Sequence, residues 1–322
     1  MKKSKMNLYF SFIDLALILI ISVLFYLSSA ISVPAVLYVP KGGVGEIIAY
    51  LSNHQINLSL IDKYSLRILG RPQSGWIGLR GYGELKNGLI NLTHGDFLYA
   101  LTKAKAALVN VTLIPGETRV MFFKELSKSL NLNESRLNSE YEALAPMADG
   151  FIVPETYSVP KGIGERGVVA YLLRNSARYH EALAKRAFGK YDKKQWARVL
   201  TVASIVQKEA ANEAEMPLVA SVIYNRLKLG MPLQMDGTLN YGAYSHQKIT
   251  PERIRNDRSA FNTYINKGLV PYPVCAVSTS AIRAAVSPAK SEFLYFVLDR
   301  KTGAHKFSKS LNEHNRNIKG QN

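Results

Sequence analysis

Cysteine is almost absent: Cys275 is the only one among 322 residues, so no disulfide can form within the chain. Its setting, VPYPVCAV, is apolar and predicts a small buried side chain. No neighbour could serve it as a base, so it is given no catalytic part. Metal-ligand spacing is lacking too. The six histidines, His54, His94, His180, His246, His305 and His314, include no pair one helical turn apart around a glutamate. No phosphate-cradling glycine loop runs into Lys and Ser/Thr, since KGGVGE is too short. There is no nucleophile elbow, no Ser-His-Asp spacing and no internal repeat. No metal and no cofactor is implied. Acidic residues are scarce as well: 24 stand against 41 Lys and Arg, a formal net charge of +17. That excess favours anionic partners, whether nucleic acid, acidic lipid or an anionic polymer. It forms no long basic block and reads as a general surface property.

What is present is globular. The hydrophobic share is 47% and the length suits roughly two domains. A basic start, MKKSKMN, precedes an apolar run over residues 8–31 broken by Asp14 and a few hydroxyls. Such a run is in the ~20-residue range of a membrane span. The expectation is an uncleaved anchor with a cytoplasmic tail and the rest of the chain outside. A cleaved signal peptide is the rival, because SSA resembles a cleavage site. Export would set nucleic acid aside and leave lipid or wall polymer as partners.

Beyond residue 31, VLYVPKGGVGEIIAYLSNHQI reads as strand, turn and helix, with Ile47, Ile48 and Leu51 buried. A second helix runs through Phe97, Leu98 and Leu101, capped by Thr93 or Asp96. Such a unit suits a small carbohydrate-binding module or a plain packing domain. VNVTLIPGET reads as a strand ended by Pro115-Gly116, followed by a helix through Phe122, Leu126 and Leu130. DGFIVPETYSVPKG reads as a loop. Helical patterns cover residues 164–188, 194–213 and 217–230; the last buries Val219, Val222, Ile223 and Leu227. EFLYFVLD and AHKFS predict a hairpin, and SLNEHNRN a short closing helix.

One carboxylate is out of place. In ASIVQKEA, Glu209 falls four residues after Ile205 and seven after Val202, on their apolar stripe. A charge there costs several kcal/mol unless paired, protonated or facing a wet cleft. A solvent-reaching helix-edge acid and a functional one both fit. Downstream, PLQMDGTLNYG supplies Gln234, Asp236, Thr238, Asn240 and Tyr241, and FNTYINKG supplies Asn262 and Tyr264. Amide, carboxylate and aromatic side chains are what sugar recognition requires.

ASIVQKEA, VASVIYNRLKLGMPLQMDGTLNYG, FNTYINKGLVPYPV, AAVSPAKSEFLYFVLD and HKFSKSLNEHN together resemble the MltG-type (YceG-like) endolytic murein transglycosylase family. VTLIPGET and GFIVPETY resemble its upstream motifs. The resemblance implies an α+β fold: a tail over 1–7, a transmembrane helix over 8–31, a small LysM-like subdomain over 32–108, and a catalytic domain over 109–322. That last domain would have a helical core and a C-terminal β-hairpin. It implies a single-pass protein of the bacterial inner (cytoplasmic) membrane whose catalytic domain lies in the periplasm or extracytoplasmic space. The implied reaction cleaves the MurNAc-β-1,4-GlcNAc bond of nascent strands, leaves 1,6-anhydro ends and terminates elongation. Glu209 takes the place of the catalytic acid and base, with Glu215 in support. Gln234, Asp236, Thr238, Tyr241, Asn262 and Tyr264 match positions lining the glycan cleft. Implied partners are nascent glycan strands, penicillin-binding synthases and membrane lipid. The alternatives are a non-catalytic peptidoglycan-binding protein and a muramidase-type hydrolase. Two departures stand out: Gln207 replaces an acid, and Val277-Ser278 replaces Pro-Gly, which puts the local turn in doubt.

Overall fold

The computed structural model describes residues 2–320, with side chains from Ser11 onward. The chain divides into two compact units, Met1–Val109 with Val159–Gly162, and Asn110–Ser158 with Ile163–Asn322.

In the first unit, helix α1 (Lys2–Leu27) leads into strands β1 (Ala30–Pro34) and β2 (Val36–Val39). Helices α2 (Val44–Asn53) and α3 (Leu60–Leu69) follow, then strands β3 (Gly75–Gly78), β4 (Glu84–Lys86) and β5 (Leu89–Thr93), and helix α4 (His94–Lys103). Strand order is β1-β5-β4 in one antiparallel sheet and β2-β3 in another. Alternation along β1 and β5 turns Ile31 and Val33, and Ile90 and Leu92, to the inner face. The register sets Ile31 opposite Leu92 and Val33 opposite Ile90, so the cross-strand pairs meet within the core. Ile47, Ile48 and Leu51 of α2 and Phe97, Leu98 and Leu101 of α4 complete that core. Thr93, rather than Asp96, caps α4 by accepting the Asp96 N–H.

The membrane span expected over residues 8–31 does not hold. Among the described residues, no helix is long and apolar enough to cross a membrane. The apolar run does not stay helical: α1 stops at Leu27, and Ala30 and Ile31 belong to β1, with Ile31 buried. Phe12, Ile13, Leu24 and Phe25 are exposed on α1. The basic side chains of the expected tail, residues 2–5, lie outside the described residues. The inner-membrane location and single-pass topology fall with the span. The export-based exclusion of nucleic acid loses its premise.

One polar knot lies inside this unit. Asp62 is fully buried, and its Oδ2 accepts the Tyr26 hydroxyl at 2.5 Å and the Ser59 N–H at 2.7 Å. Its Oδ1 lies 2.9 Å from His94 Nδ1. Removing that acceptor strands several donors, so Asp62→Ala is expected to cost about 3 kcal/mol of stability. Urea unfolding of the full chain measures it; a loss below ~1 kcal/mol would show the knot to be a bystander.

The chain passes from unit to unit in strands β6 (Leu108–Thr112) and β7 (Thr156–Pro160), which pair with each other. The second unit holds helices α5 (Arg119–Leu130) and α6 (Glu134–Leu144) before β7, then α7 (Glu165–Phe188), α8 (Lys193–Glu209) and α9 (Met216–Lys228). Helices α10 (Pro251–Asn256) and α11 (Thr279–Val286) follow, then the hairpin β8 (Tyr295–Leu298) and β9 (His305–Ser308), and helix α12 (Leu311–Lys319). Every residue from Val199 to Val206 is buried, which is what an apolar-all-round central helix requires. α8 packs on α9 and on α11, whose inward Ala281, Ala284 and Ala285 allow close approach. The Pro-rich segment before α11 is held to α8 as well. The Val274 N–H donates to Ser204 Oγ at 3.0 Å, and buried Cys275 lies beside it. Burial pushes the Cys275 thiol up to about 12.

Candidate active site

The helical pattern predicts α8 to residue 213, yet the helix ends at Glu209. Asn212 explains the stop: its Oδ1 accepts the Glu215 N–H at 3.2 Å and caps a separate 3₁₀ turn, Glu213–Glu215. Glu209 therefore sits where unpaired helix carbonyls concentrate partial negative charge. It is half-buried, and its Oε1 accepts the Gly237 N–H at 2.7 Å. Burial lifts its carboxyl to about 7, and the charge of Asp236 adds to the rise. The Gly237 hydrogen bond and the charge of Arg226 act the other way. A carboxyl so placed can both give and take a proton near neutral pH.

The loop facing Glu209 is clipped to a second loop. The Gln234 N–H donates to Thr263 O at 3.0 Å, and the Met235 N–H to Thr263 Oγ1 at 3.0 Å. Gln234 is held in the left-handed region at φ 50°, a costly conformation for a residue with a Cβ. A Cβ on Gly237 would stand 2.5 Å from Lys208 Cβ and 2.8 Å from Glu209 Oε1. Only glycine lets that N–H reach the carboxyl.

These elements enclose a cavity of about 400 Å³, within the usual range for a ligand site. Glu209, Arg226, Gln234, Asp236 and Tyr264 line one part. Tyr295, Phe296 and Val297 of the hairpin, with Leu311 and His314 of α12, line the rest. The Tyr264 hydroxyl donates to Asp236 Oδ1 at 2.6 Å.

Of the residues expected in the site, Glu209, Gln234, Asp236 and Tyr264 meet in this cavity. The other three side chains of the expected cleft hold the loops. Thr238 is fully buried and donates to Met235 O at 2.7 Å. Asn262 is also fully buried and donates to the carbonyls of Ile254 and Asp257, both at 2.8 Å. Tyr241 stacks on Phe261 with ring centroids 4.1 Å apart. Glu215 lies away from the cavity lining and accepts from His305 N at 2.7 Å, with His305 Nδ1 at 2.8 Å. Burial alone would raise its carboxyl; the His305 hydrogen bonds hold it below the usual range.

The two departures from the family pattern touch each other. Gln207 Oε1 accepts the Ser278 N–H at 3.0 Å, and Ser278 Oγ caps α11 by accepting from Ala281 N at 3.1 Å. The turn in doubt is thus formed by a serine cap.

The YceG-like family profile matches residues 38–320. An endolytic murein transglycosylase of Bacillus subtilis (strain 168) is 34% identical over 169 residues, covering 52% of this chain and 46% of that protein. Another, of Streptococcus pneumoniae serotype 2 (strain D39), is 30% identical over 236 residues, covering 70% of this chain and 40% of that protein. The chain thus spans less than half the length of these curated relatives. The crystal structure of a yceG-like protein from Listeria monocytogenes superposes with a TM-score of 0.54 at 24% identity, covering 89% of this chain and 99% of that one. At that identity the likeness speaks for the fold alone.

Proposed function

The chain belongs to the YceG-like family, and on that premise we propose that it is an endolytic lytic transglycosylase of peptidoglycan glycan strands. Glu209 carries the reading: a carboxyl raised to about 7 by burial, oriented by the Gly237 N–H and opening on a cavity. As the acid it protonates the glycosidic oxygen between N-acetylmuramic acid and N-acetylglucosamine, and the bond to the anomeric carbon breaks. As the carboxylate it then takes the proton of the muramyl 6-hydroxyl, whose oxygen bonds to that carbon and closes the 1,6-anhydro ring. No water is consumed, and Glu209 ends protonated as it began. Such a cut within a growing strand ends its elongation.

Asp236 favours one rival. It puts a second carboxylate in the same cavity, held by the Tyr264 hydroxyl. Glycoside hydrolases use such a pair, one member activating water or attacking the sugar. Digestion of uncrosslinked glycan in heavy-oxygen water separates the two. Anhydro ends without label are expected. Label at a reducing muramyl end would replace this reading with hydrolysis.

A further inference from the structure

Arg226 is a buried cation that forms no ion pair among the described residues, although it shares its cavity with Glu209 and Asp236. It lies three residues after Ile223 and four after Val222 on the inner stripe of α9, and is 8% exposed. A buried guanidinium costs several kcal/mol unless its charge and donors are met. Its Nε donates to Leu294 O at 2.6 Å, and its Nη1 to Leu233 O at 2.6 Å and more weakly to Pro232 O at 3.4 Å. All three acceptors are neutral carbonyls. Nη2 donates to no group among the described residues, and no carboxylate there forms an ion pair with the guanidinium. Arg226 lines the cavity. The two acids of that cavity are engaged elsewhere, Glu209 by Gly237 and Asp236 by Tyr264.

A second unspent group stands beside it. The guanidinium lies over the Tyr295 ring at 5.2 Å, and the His314 imidazole stacks against the same ring at 5.3 Å. His314 lines the cavity, and its Nδ1 is buried with no partner among the described residues. The unspent Nη2 of a charged guanidinium beside an imidazole, on a wall made rigid by backbone hydrogen bonds, offers charge-assisted donors to a carboxylate. Neutral sugar hydroxyls would leave the positive charge unmet.

We propose that Arg226 and His314 form a carboxylate receptor within the catalytic cavity, reading the carboxylate that a muramyl residue brings to the cut. This rests on the glycan-cleaving reading above. Two carboxylates share that chemistry: the lactyl group of a peptide-free muramyl residue, and the free carboxylates of a stem peptide. Either would make the enzyme blind to polymers of N-acetylglucosamine alone, which carry no carboxylate.

The test begins with the full chain carrying Glu209→Gln, which keeps an acceptor for Gly237. It is titrated with peptide-free glycan tetrasaccharide, with the same fragment after methyl esterification of its lactyl groups, and with peptide-bearing fragment before and after esterification. At least tenfold tighter binding of an acid form than of its ester is expected, and which pair shows it names the carboxylate. Adding Arg226→Gln should erase the difference. Equal binding of acid and ester in both pairs, or no binding of any form, overturns the receptor. Because the ester comparison needs no change at Arg226, a variant that fails to fold cannot decide the matter. The unsubstituted chain is then assayed for cleavage of the same fragments. Acid-selective binding without cleavage of any fragment would leave the receptor standing and remove the transglycosylase reading.

Discussion

Glu209→Gln is expected to lower glycan cleavage by about 10²–10⁴-fold and, above neutral pH, to make the chain more stable. Both effects come from the same burial. The Glu209 carboxyl is raised to about 7 in the folded chain, whereas an unfolded glutamate titrates near ~4.3. Below the unfolded value both states are protonated, and nothing is lost. Between the two values the unfolded chain releases the proton first, so stability declines as pH rises through the folded value. The loss levels off at about 4 kcal/mol. Glutamine stays neutral and escapes it. The variant should match the unsubstituted chain at about pH 4 and exceed it by up to ~4 kcal/mol at about pH 8 in urea unfolding. Asp149, lifted to about 7 by burial against the pull of the Arg119 and Gly150 N–H hydrogen bonds, which lower it, adds a slope of the same sign that persists in both proteins. The kcat/KM of the unsubstituted enzyme should fall above about pH 7 as the acid loses its proton. Identical stability slopes in the two proteins would mean that Glu209 is not held protonated, and retained cleavage would remove it from the reaction.

Glu209 was legible because it breaks a pattern over a few residues: an acid in step with Val202 and Ile205. The same arithmetic reaches Arg226, in step with Val222 and Ile223, although Leu227 was placed on the buried face and is only half-buried. The rest of the cavity wall has no local signal. Tyr295 and His314 come from a hairpin and a helix far along the chain from Glu209. Which side chains they bring inward depends on how those elements pack. Gly237 was visible only as a turn glycine, since its value lies in the atoms a Cβ would strike. Strands were hidden for a related reason. AISVP read as the end of an apolar run and TYSVP as part of a loop, but each becomes a strand by pairing with β5 or β6. Strand identity depends on such partners more than on composition.

Gly237→Ala should be nearly as damaging to catalysis as loss of the acid, with the acid still in place. The added methyl would meet Lys208 Cβ at 2.5 Å and Glu209 Oε1 at 2.8 Å. The first contact is with the root of a side chain on α8, so flexing the lysine tip gives no relief. The loop must therefore retreat, and it is clipped by Thr263 to Gln234 and Met235. Overpacking of this kind costs about 1–3 kcal/mol of stability. The retreat also withdraws the N–H that orients the carboxyl at 2.7 Å. Misplacing a reacting group by about 1 Å can cost on the order of 10²-fold in rate. The loss should fall on kcat more than on KM, because the cavity's other side chains remain. Loss of the hydrogen bond that favours the charged form should also move the alkaline limb of the rate profile upward. A truncated but otherwise ordinary pH profile, with kcat unchanged, would show that the Gly237 contact positions nothing. A fall in kcat together with that upward shift is the signature of a carboxyl that has lost its guide.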